Sequence, residues 1–263
     1  MELDRRGFRV FAGVRSETDA QRLRRQASPR LLPVPLDVTD ARSIAAAVRV
    51  VEQDGGAAGV AGLVNNAGIV VAGPLELLPV EELRRQLDVN VVGQVAVTNA
   101  FLPALRKARG RIVNIGSMNG RFAAPYLGAY SASKYAMEAV SDVLRTELRR
   151  WRIHVSLVEP GSTATPIWEK SLAAGNALAA EAPANTLAMY RADIEALRRA
   201  TVRLAQAAAP ADKVVRAVVH ALTARWPKTR YPIGLETHLL FRAIKWAPDR
   251  LWDRILQRAM RLR

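Results

Sequence analysis

The chain has 263 residues, of which 50% are hydrophobic and 24% are charged, a composition that suits one soluble α/β domain. It has no cysteine, which excludes disulfides, thiolate catalysis and cysteine-bound metals, and no apolar run long enough for a transmembrane helix. The net charge of +15 comes mostly from arginines scattered without a nucleic-acid-binding motif, so we expect a cytoplasmic protein that binds no nucleic acid.

The N-terminal stretch MELDRRGFRVFAGVR has the pattern of a helix end, a glycine and a strand. Gly7 stands where glycine often ends a helix, and residues 8–14 are rich in β-branched and aromatic types. Ser16-Glu-Thr-Asp19 then resembles a capping box and predicts a helix to about Gln26. These features are typical of the interior of an α/β fold.

Strand and helix patterns alternate along most of the remaining chain. Further strands are predicted at 31–38, 59–65, 110–117, 153–159 and 229–234. Helices are predicted at 41–53, 81–108, 126–150 and 211–225. This alternation indicates a doubly wound parallel sheet covered by helices on both faces, with ligands bound at the carboxyl ends of the strands. The polar stretches LDVT, NNAG, IGS and EPG fall at those ends.

Two segments depart from the alternation. Residues 166–208 are rich in alanine and predict a pair of helices, which form either a substrate lid or part of the outer helical layer. Residues 237–263 are amphipathic, basic and contain two tryptophans. They are expected to contact an anionic membrane surface or the mouth of a lipophilic substrate site, or else to pack on the domain or on a second subunit.

Candidate catalytic residues cluster in the middle of the chain. Tyr130 and Lys134 are four residues apart on a predicted helix and so share one face. Ser117 lies thirteen residues before Tyr130, at the end of a predicted strand, and Asn90 lies within the long helix that precedes it. Each feature alone has a structural explanation, but their joint spacing indicates an active site.

Together with NNAG and Glu159-Pro160-Gly161, these residues resemble the short-chain dehydrogenase/reductase family over residues 7 to about 235. The VSLVEPG stretch is most similar to the retinol, hydroxysteroid and 3-hydroxybutyrate dehydrogenase branch. The resemblance implies a single Rossmann-type domain over 1–263. It also implies an NAD(P)-dependent oxidoreductase for a lipophilic alcohol, ketone or aldehyde, assembled as a homodimer or tetramer.

The resemblance also assigns roles to the catalytic residues. Tyr130 would be the general acid/base, Ser117 would orient the substrate oxygen, and Asn90 would position a water in a proton relay. Lys134 would hold the nicotinamide ribose and lower the pKa of Tyr130. Bringing a phenol from a pKa near 10 to about 7 requires roughly 4 kcal/mol of phenolate stabilisation, and a nearby ammonium supplies much of it.

The cofactor residues carry over in the same way. Those that match the family's dinucleotide-binding positions, besides Tyr130 and Lys134, are Asp37, Val38, Asn65, Ala67, Gly68, Pro160, Gly161 and Thr165. Arg15 follows the first visible strand, where an acidic residue would bind the 2′-hydroxyl of NAD and an arginine accommodates the 2′-phosphate of NADP. We therefore favour NADP(H), with NAD(H) as the alternative. No metal site is expected, because the three histidines lie outside any ligand motif.

The family's glycine-rich turn and the strand before it are not found in the sequence. In the usual strand order the missing strand would lie between those at 8–14 and 59–65. Either the native protein begins upstream of Met1, which we favour, or the chain is truncated. We expect the 263-residue chain to express poorly and to show little NADPH-dependent activity. The alternative function is a non-catalytic Rossmann-like binding or assembly module.

Overall fold

Helices and parallel strands alternate in this computed structural model, which describes residues 1–55, 58–165, 167–246 and 248–260. The strands in these ranges are β1 (Val10–Val14), β2 (Leu31–Pro35), β3 (Gly62–Asn65), β4 (Arg111–Ile115), β5 (His154–Pro160) and β6 (Arg230–Ile233). The helices are α1 (Glu2–Arg5), α2 (Glu17–Gln26), α3 (Ala41–Gly55), α4 (Val80–Leu87), α5 (Gly93–Ala108), α6 (Gly128–Glu147), α7 (Ile167–Glu181), α8 (Ala184–Gln206), α9 (Asp212–Thr223), α10 (Leu235–Trp246) and α11 (Asp249–Met260). Each strand lies where its pattern predicted it, and most are shorter than predicted.

The described strands form two parallel sheets. One contains β1 and β2, and the other has the order β3-β4-β5-β6. β1 is paired with β2 alone and β3 with β4 alone, and no described strand lies between β1 and β3. The parallel arrangement matches the predicted Rossmann-type fold, and the break falls where the sequence predicted a missing strand.

The central strands separate two clusters of buried side chains. Successive residues of a strand point to opposite faces, so Ile112 packs with Leu105 and Val155 on one side. Val113 packs with Val158 on the other side, beneath α9. Because both faces are covered, β4 and β5 consist largely of fully buried residues, as expected for a parallel sheet.

The predicted helix signals near the N-terminus are present in the structure. Gly7 has a φ of +87° after α1, and the amide of Phe8 donates to the carbonyl of Leu3 at 3.1 Å, as in a Schellman motif. The Ser16 hydroxyl accepts from the amide of Asp19 at 3.1 Å and caps α2. The end of α1 and the start of α2 are therefore determined by residues close to them in the sequence.

The long helix predicted at 81–108 is interrupted. A π-helical turn at Asp88–Val92 separates α4 from α5, and the candidate residue Asn90 lies in it. Such turns are rare and occur frequently at functional sites. The segments predicted at 166–208 and 237–263 form the helix pairs α7–α8 and α10–α11 in their described parts. Pro166, part of the predicted lid, lies outside the described residues.

Candidate active site

Three of the predicted catalytic side chains meet at the carboxyl end of β4. Ser117 follows that strand, and Tyr130 and Lys134 lie on adjacent turns of α6. The Ser117 hydroxyl lies within hydrogen-bonding reach of the Tyr130 phenol. Lys134 is buried, and its Nζ donates to the carbonyl oxygen of Ile115 at 2.8 Å. The strand end and the helix therefore hold a hydroxyl, a phenol and an amine in one place.

Burial is the main influence on the pKa values of this site. It raises the pKa of Tyr130, against the smaller opposite effect of the Ser117 hydrogen bond. Burial also lowers the pKa of Lys134 to about 8. We expected Lys134 to lower the pKa of Tyr130, and this geometry does not show that effect. The ammonium is directed at the Ile115 carbonyl and lies 5.7 Å from the centroid of the phenol ring.

Asn90 is fully buried and joins the loop after β3 to the catalytic helix. Its Oδ1 accepts from the amide of Ile69 at 2.8 Å, and its Nδ2 donates to the Ile69 carbonyl at 3.0 Å. The same Nδ2 donates to the hydroxyl of Ser133 at 3.1 Å. Both amide hydrogens are thereby used, so the residue holds the loop against α6, and its predicted role in placing a water stays a prediction.

Two glutamines that the sequence reasoning missed repeat this contact on either side of Asn90. Gln86 Oε1 accepts from the amide of Val71 at 2.7 Å, and its Nε2 donates to the Ile69 carbonyl at 2.8 Å. Gln94 Nε2 donates to the carbonyl of Ala67 at 2.6 Å. The spacing of four residues between these amides was the available signal, because it places them on one helix face. Together they fix the backbone of residues 67–71.

The predicted cofactor residues after β3 divide into two groups. The side chain of Asn65 is buried in the core, where its Nδ2 donates to Thr98 Oγ1 and Asn114 Oδ1, each at 2.8 Å. A ligand can therefore reach Asn65 through its backbone and not through its amide. Ala67 and Gly68 are exposed and open to a ligand.

Two of the residues predicted to bind the adenosine end border an open cleft of about 370 Å³ at the ends of β1 and β2. Arg15 and Asp37 both line it. The hydrogen bond from Thr39 is the largest cause that lowers the pKa of Asp37, and the Arg15 charge adds to it. Arg15 is exposed and has no ion pair with any described residue. Val38 is half-buried and packs on the hydrophobic core beside this cleft.

The predicted nicotinamide-end residues follow β5. Pro160 ends that strand, and Gly161 packs so closely on α10 that an added Cβ would lie 2.9 Å from Thr237 Oγ1. Thr165 is exposed, and its carbonyl oxygen is 3.5 Å from the amide of Trp168 at the start of α7. The turn is therefore held on one side by the C-terminal helices and leads directly into α7.

An apolar groove lies between residues 72–78 and the helix pair α7–α8. The groove encloses a space of about 60 Å³. Two phenols hold α8 in place over this groove. Tyr126 donates to Asp193 at 2.9 Å, and Tyr190 donates to Glu76 at 2.6 Å. Tyr126 lies four residues before Tyr130, so this contact with α8 lies close to the start of α6.

Comparison with known proteins agrees with this geometry. A family model described as short chain dehydrogenase matches residues 1–176. The chain belongs to the short-chain dehydrogenase family. Bovine 17-beta-hydroxysteroid dehydrogenase type 6 is 41% identical over 264 residues, covering 98% of this chain and 83% of that protein. Human retinol dehydrogenase 5 is also 41% identical, over 265 residues, covering 97% of this chain and 82% of that protein.

Solved structures give the same result. A short-chain dehydrogenase from Streptomyces avermitilis has a TM-score of 0.71 at 26% identity, covering 90% of this chain and 82% of that one. A short chain dehydrogenase from Burkholderia cenocepacia, solved in complex with NADP, has a TM-score of 0.70 at 26% identity, covering 94% and 86%. The predicted family, its retinol and hydroxysteroid branch, and an oxidoreductase acting on CH–OH groups are confirmed.

Proposed function

We propose that the chain interconverts a lipophilic alcohol and the corresponding ketone or aldehyde with a nicotinamide dinucleotide. The observation that carries this proposal is the convergence of Ser117, Tyr130 and buried Lys134 at the end of β4. Tyr130 exchanges a proton with the substrate oxygen, and the Ser117 hydroxyl orients that oxygen beside the phenol. The nicotinamide supplies or accepts the hydride. Burial lowers the pKa of Lys134 to about 8, so at pH 7 it still carries its positive charge beside the phenol.

The residues present fit the two ends of a dinucleotide better than its middle. Arg15 offers an exposed guanidinium beside Asp37 for the adenosine end. Lys134 lies at the carboxyl end of β4, next to β5, for the nicotinamide end. The segments after β1 and β3 contain only two glycines, Gly68 and Gly73, and so do not form the glycine-rich cradle that usually holds the pyrophosphate. The position of Arg15 after β1, where no described residue forms an ion pair with it, and the NADP named for the Burkholderia relative support NADP(H) over NAD(H).

The lipophilic substrate is proposed from the groove under α7–α8 and from the names of the steroid and retinol dehydrogenases among the relatives. On α8, Ile194 and Leu197 face the groove, and no residue of that helix is buried. By contrast, α9 buries three residues against the sheet. This difference favours a lid over an outer-layer role. The space of about 60 Å³ is small for such a substrate, so we propose that α8 moves outward when the substrate binds.

The test is turnover of NADPH with a lipophilic ketone by Tyr130→Phe, measured in the 263-residue chain and in a form extended before Met1 by a strand and glycine-rich turn. Removal of the phenolic proton donor should lower kcat by about 10²–10⁴-fold without abolishing dinucleotide binding. Tyr135→Phe is the matched control, because Tyr135 lies on the same helix and is exposed. Dinucleotide binding without turnover in the wild type and Tyr130→Phe alike would favour the alternative of a non-catalytic binding module, and equal turnover by both would show that Tyr130 is not the proton donor.

We also propose that α10–α11 contact an anionic membrane surface. In α11, Trp252 packs edge-on against Phe122 of the domain, at 5.6 Å between ring centroids. Leu251 and Ile255 are exposed on the same amphipathic, arginine-rich helix. None of the helices in the described ranges is long and apolar enough to cross a membrane. The cytoplasmic location and the homo-oligomeric state remain predictions.

Co-sedimentation with vesicles tests the membrane proposal. The wild-type chain should bind vesicles that contain anionic lipid and bind neutral vesicles less. Changing both Leu251 and Ile255 to Glu should abolish that binding, while the same change at two exposed apolar residues elsewhere, Val80 and Val92, should not. Equal sedimentation of all forms would show that the C-terminal helices do not bind lipid.

A further inference from the structure

Two glutamates lie directly behind the catalytic residues and have no part in the chemistry described above. Glu138 is one helical turn beyond Lys134, so Tyr130, Lys134 and Glu138 share a face of α6. Glu159 is the residue of β5 that precedes Pro160. Their carboxyl groups face each other between the catalytic helix and the turn after β5, within hydrogen-bonding reach.

The surroundings of this pair contain few donors. The side chain of Glu159 is 0% exposed, and Arg121 Nε lies 2.8 Å from its Oε1 in an ion pair without hydrogen-bond geometry. Glu138 Oε2 accepts from Arg230 Nε at 3.1 Å and Nη2 at 2.9 Å. Among the described residues, neither oxygen of Glu159 nor Oε1 of Glu138 accepts a hydrogen bond. Three buried acceptor atoms thus lie together without a donor.

Such an arrangement is unfavourable if both groups are ionised. A buried carboxylate without donors loses its hydration, and a second carboxylate nearby repels it. A single proton between the two groups removes one charge and provides the missing donor. Consistent with this, burial first and the Glu138 charge second raise the pKa of Glu159 to about 8.

We propose that Glu138 and Glu159 share one proton at neutral pH, and that this carboxyl pair, held by Arg121 and Arg230, positions the Pro160–Gly161 turn against the catalytic helix. The positioning role rests on the proposed function, because the turn is the predicted nicotinamide contact. The shared proton rests on the geometry alone. Neither glutamate reaches the reacting atoms, so both are positioning residues.

Arg121 extends this connection to the C-terminal helices. Its guanidinium lies 4.5 Å from the centroid of the Phe241 ring on α10. On the same helix, Thr237 is fully buried and lies against Gly161. The carboxyl pair therefore lies where α6, the turn after β5 and α10 meet. A change in the charge of the pair therefore alters the contacts among these three elements.

The other charged groups that face the pair set the sign of its pH dependence. Arg121 and Arg230 favour the ionised form, whereas Asp142, which shares Arg230 at 2.9 Å, competes for that cation. Lys134 lies one turn away on α6, and Glu236 of α10 lies against Gly161. Below about pH 8 the pair holds one proton, and above it the pair carries two negative charges. The turn should then separate from α6 and bind dinucleotide less tightly.

Infrared titration of the wild-type chain tests the shared proton without cofactor or activity. We expect the carbonyl band of a protonated carboxyl at pH 7 that disappears with a midpoint near pH 8. Glu159→Gln should lack this band, and Glu138→Gln serves as the second variant if the first does not fold. Asp142→Asn should keep it, because Asp142 shares Arg230 but does not face Glu159. No protonated carboxyl at pH 7, or an unchanged band in both glutamine variants, would overturn the proposal.

Dinucleotide affinity against pH then tests the positioning role. In the wild type, Kd should rise at least tenfold between pH 7 and pH 9. In Glu159→Gln the rise should be clearly smaller than in the wild type, because the amide donates to Glu138 at every pH and only the loss of the Lys134 proton near pH 8 remains. Asp142→Asn should keep the full wild-type step. A parallel rise in all three would overturn the positioning role. If no form binds dinucleotide, the proposed function fails, while the infrared result still decides the shared proton.

Discussion

The two sides of the sheet differ in how completely they are built. β4 and β5 are paired on both edges, and Val113, Leu157 and Val158 are at most 1% exposed. β1 and β3 are each paired on one edge, and most of their residues are only half-buried. The predicted catalytic residues Ser117 and Tyr130 lie on the closed side. The residues proposed for catalysis are therefore held by the fully paired strands, whereas the cleft proposed for the cofactor lies at the ends of the partly paired strands.

The largest expected difference between the two sides is in the cost of removing an apolar side chain. Leu157→Ala in β5 should lower the free energy of unfolding by about 2–5 kcal/mol, because a fully buried leucine leaves a cavity. The matched change Leu32→Ala in the half-buried β2 should cost clearly less. Denaturant unfolding of both variants measures the difference, and equal losses would show that the two sides are equally closed.

The pH dependence of the free energy of unfolding gives a second contrast, of order 3–5 kcal/mol at most. Glu159 keeps its proton to about pH 8 in the folded chain but loses it near pH 4.5 in the unfolded chain. Its contribution to the free energy of unfolding therefore falls as pH rises from 4.5 to 8. Lys134 loses its proton near pH 8 when folded and near 10.5 when unfolded, so its contribution rises over that range. Together the two groups produce a minimum in the free energy of unfolding near pH 8.

The minimum is measured from denaturant unfolding at closely spaced pH values. Glu159→Gln should remove the fall on its acid side, and Lys134→Met should remove the rise on its alkaline side. On the open side of the sheet, hydrogen bonds from Ser28 and Thr39 lower the pKa values of Asp4 and Asp37. Their contribution is therefore lost only at acid pH, and a minimum that survives both variants would contradict these assignments.

The unpaired edges of β1 and β3 predict that an added strand strengthens the open side. A segment placed before Met1, with an apolar strand of about five residues and a glycine-rich turn, should tighten dinucleotide binding at least tenfold, which is about 1.4 kcal/mol. A segment of equal length made of glycine and serine is the control. Equal affinity with both segments would show that the gap does not limit binding.

The smallest expected effect concerns cofactor choice on the open side. Arg15→Glu should reduce the preference for NADPH over NADH by about tenfold, since the change removes a phosphate-binding cation and supplies an acceptor for a ribose hydroxyl. Arg84→Glu, on the same cleft but already within 3.4 Å of Glu81, is the control. If both variants lose the preference equally, general charge and not Arg15 sets it.

The local features and the motifs could be predicted from the sequence, whereas contacts between distant elements could not. The Gly7 and Ser16 helix signals, the strands and the Tyr130–Lys134 face all follow from neighbouring residues. The core position of the Asn65 amide depends on partners 33 and 49 residues away. The Glu159 pair likewise forms only when α6 meets β5, which no spacing reveals.

Direct hydride transfer tests the central claim. A lipophilic secondary alcohol carrying deuterium on its carbinol carbon is incubated with NADP⁺ and the strand-extended chain, and the dinucleotide is analysed by mass spectrometry. The account predicts that the reduced dinucleotide gains one deuterium, and that Tyr130→Phe forms almost none of it. Deuterium released to water, or an equal yield from Tyr130→Phe, would contradict it.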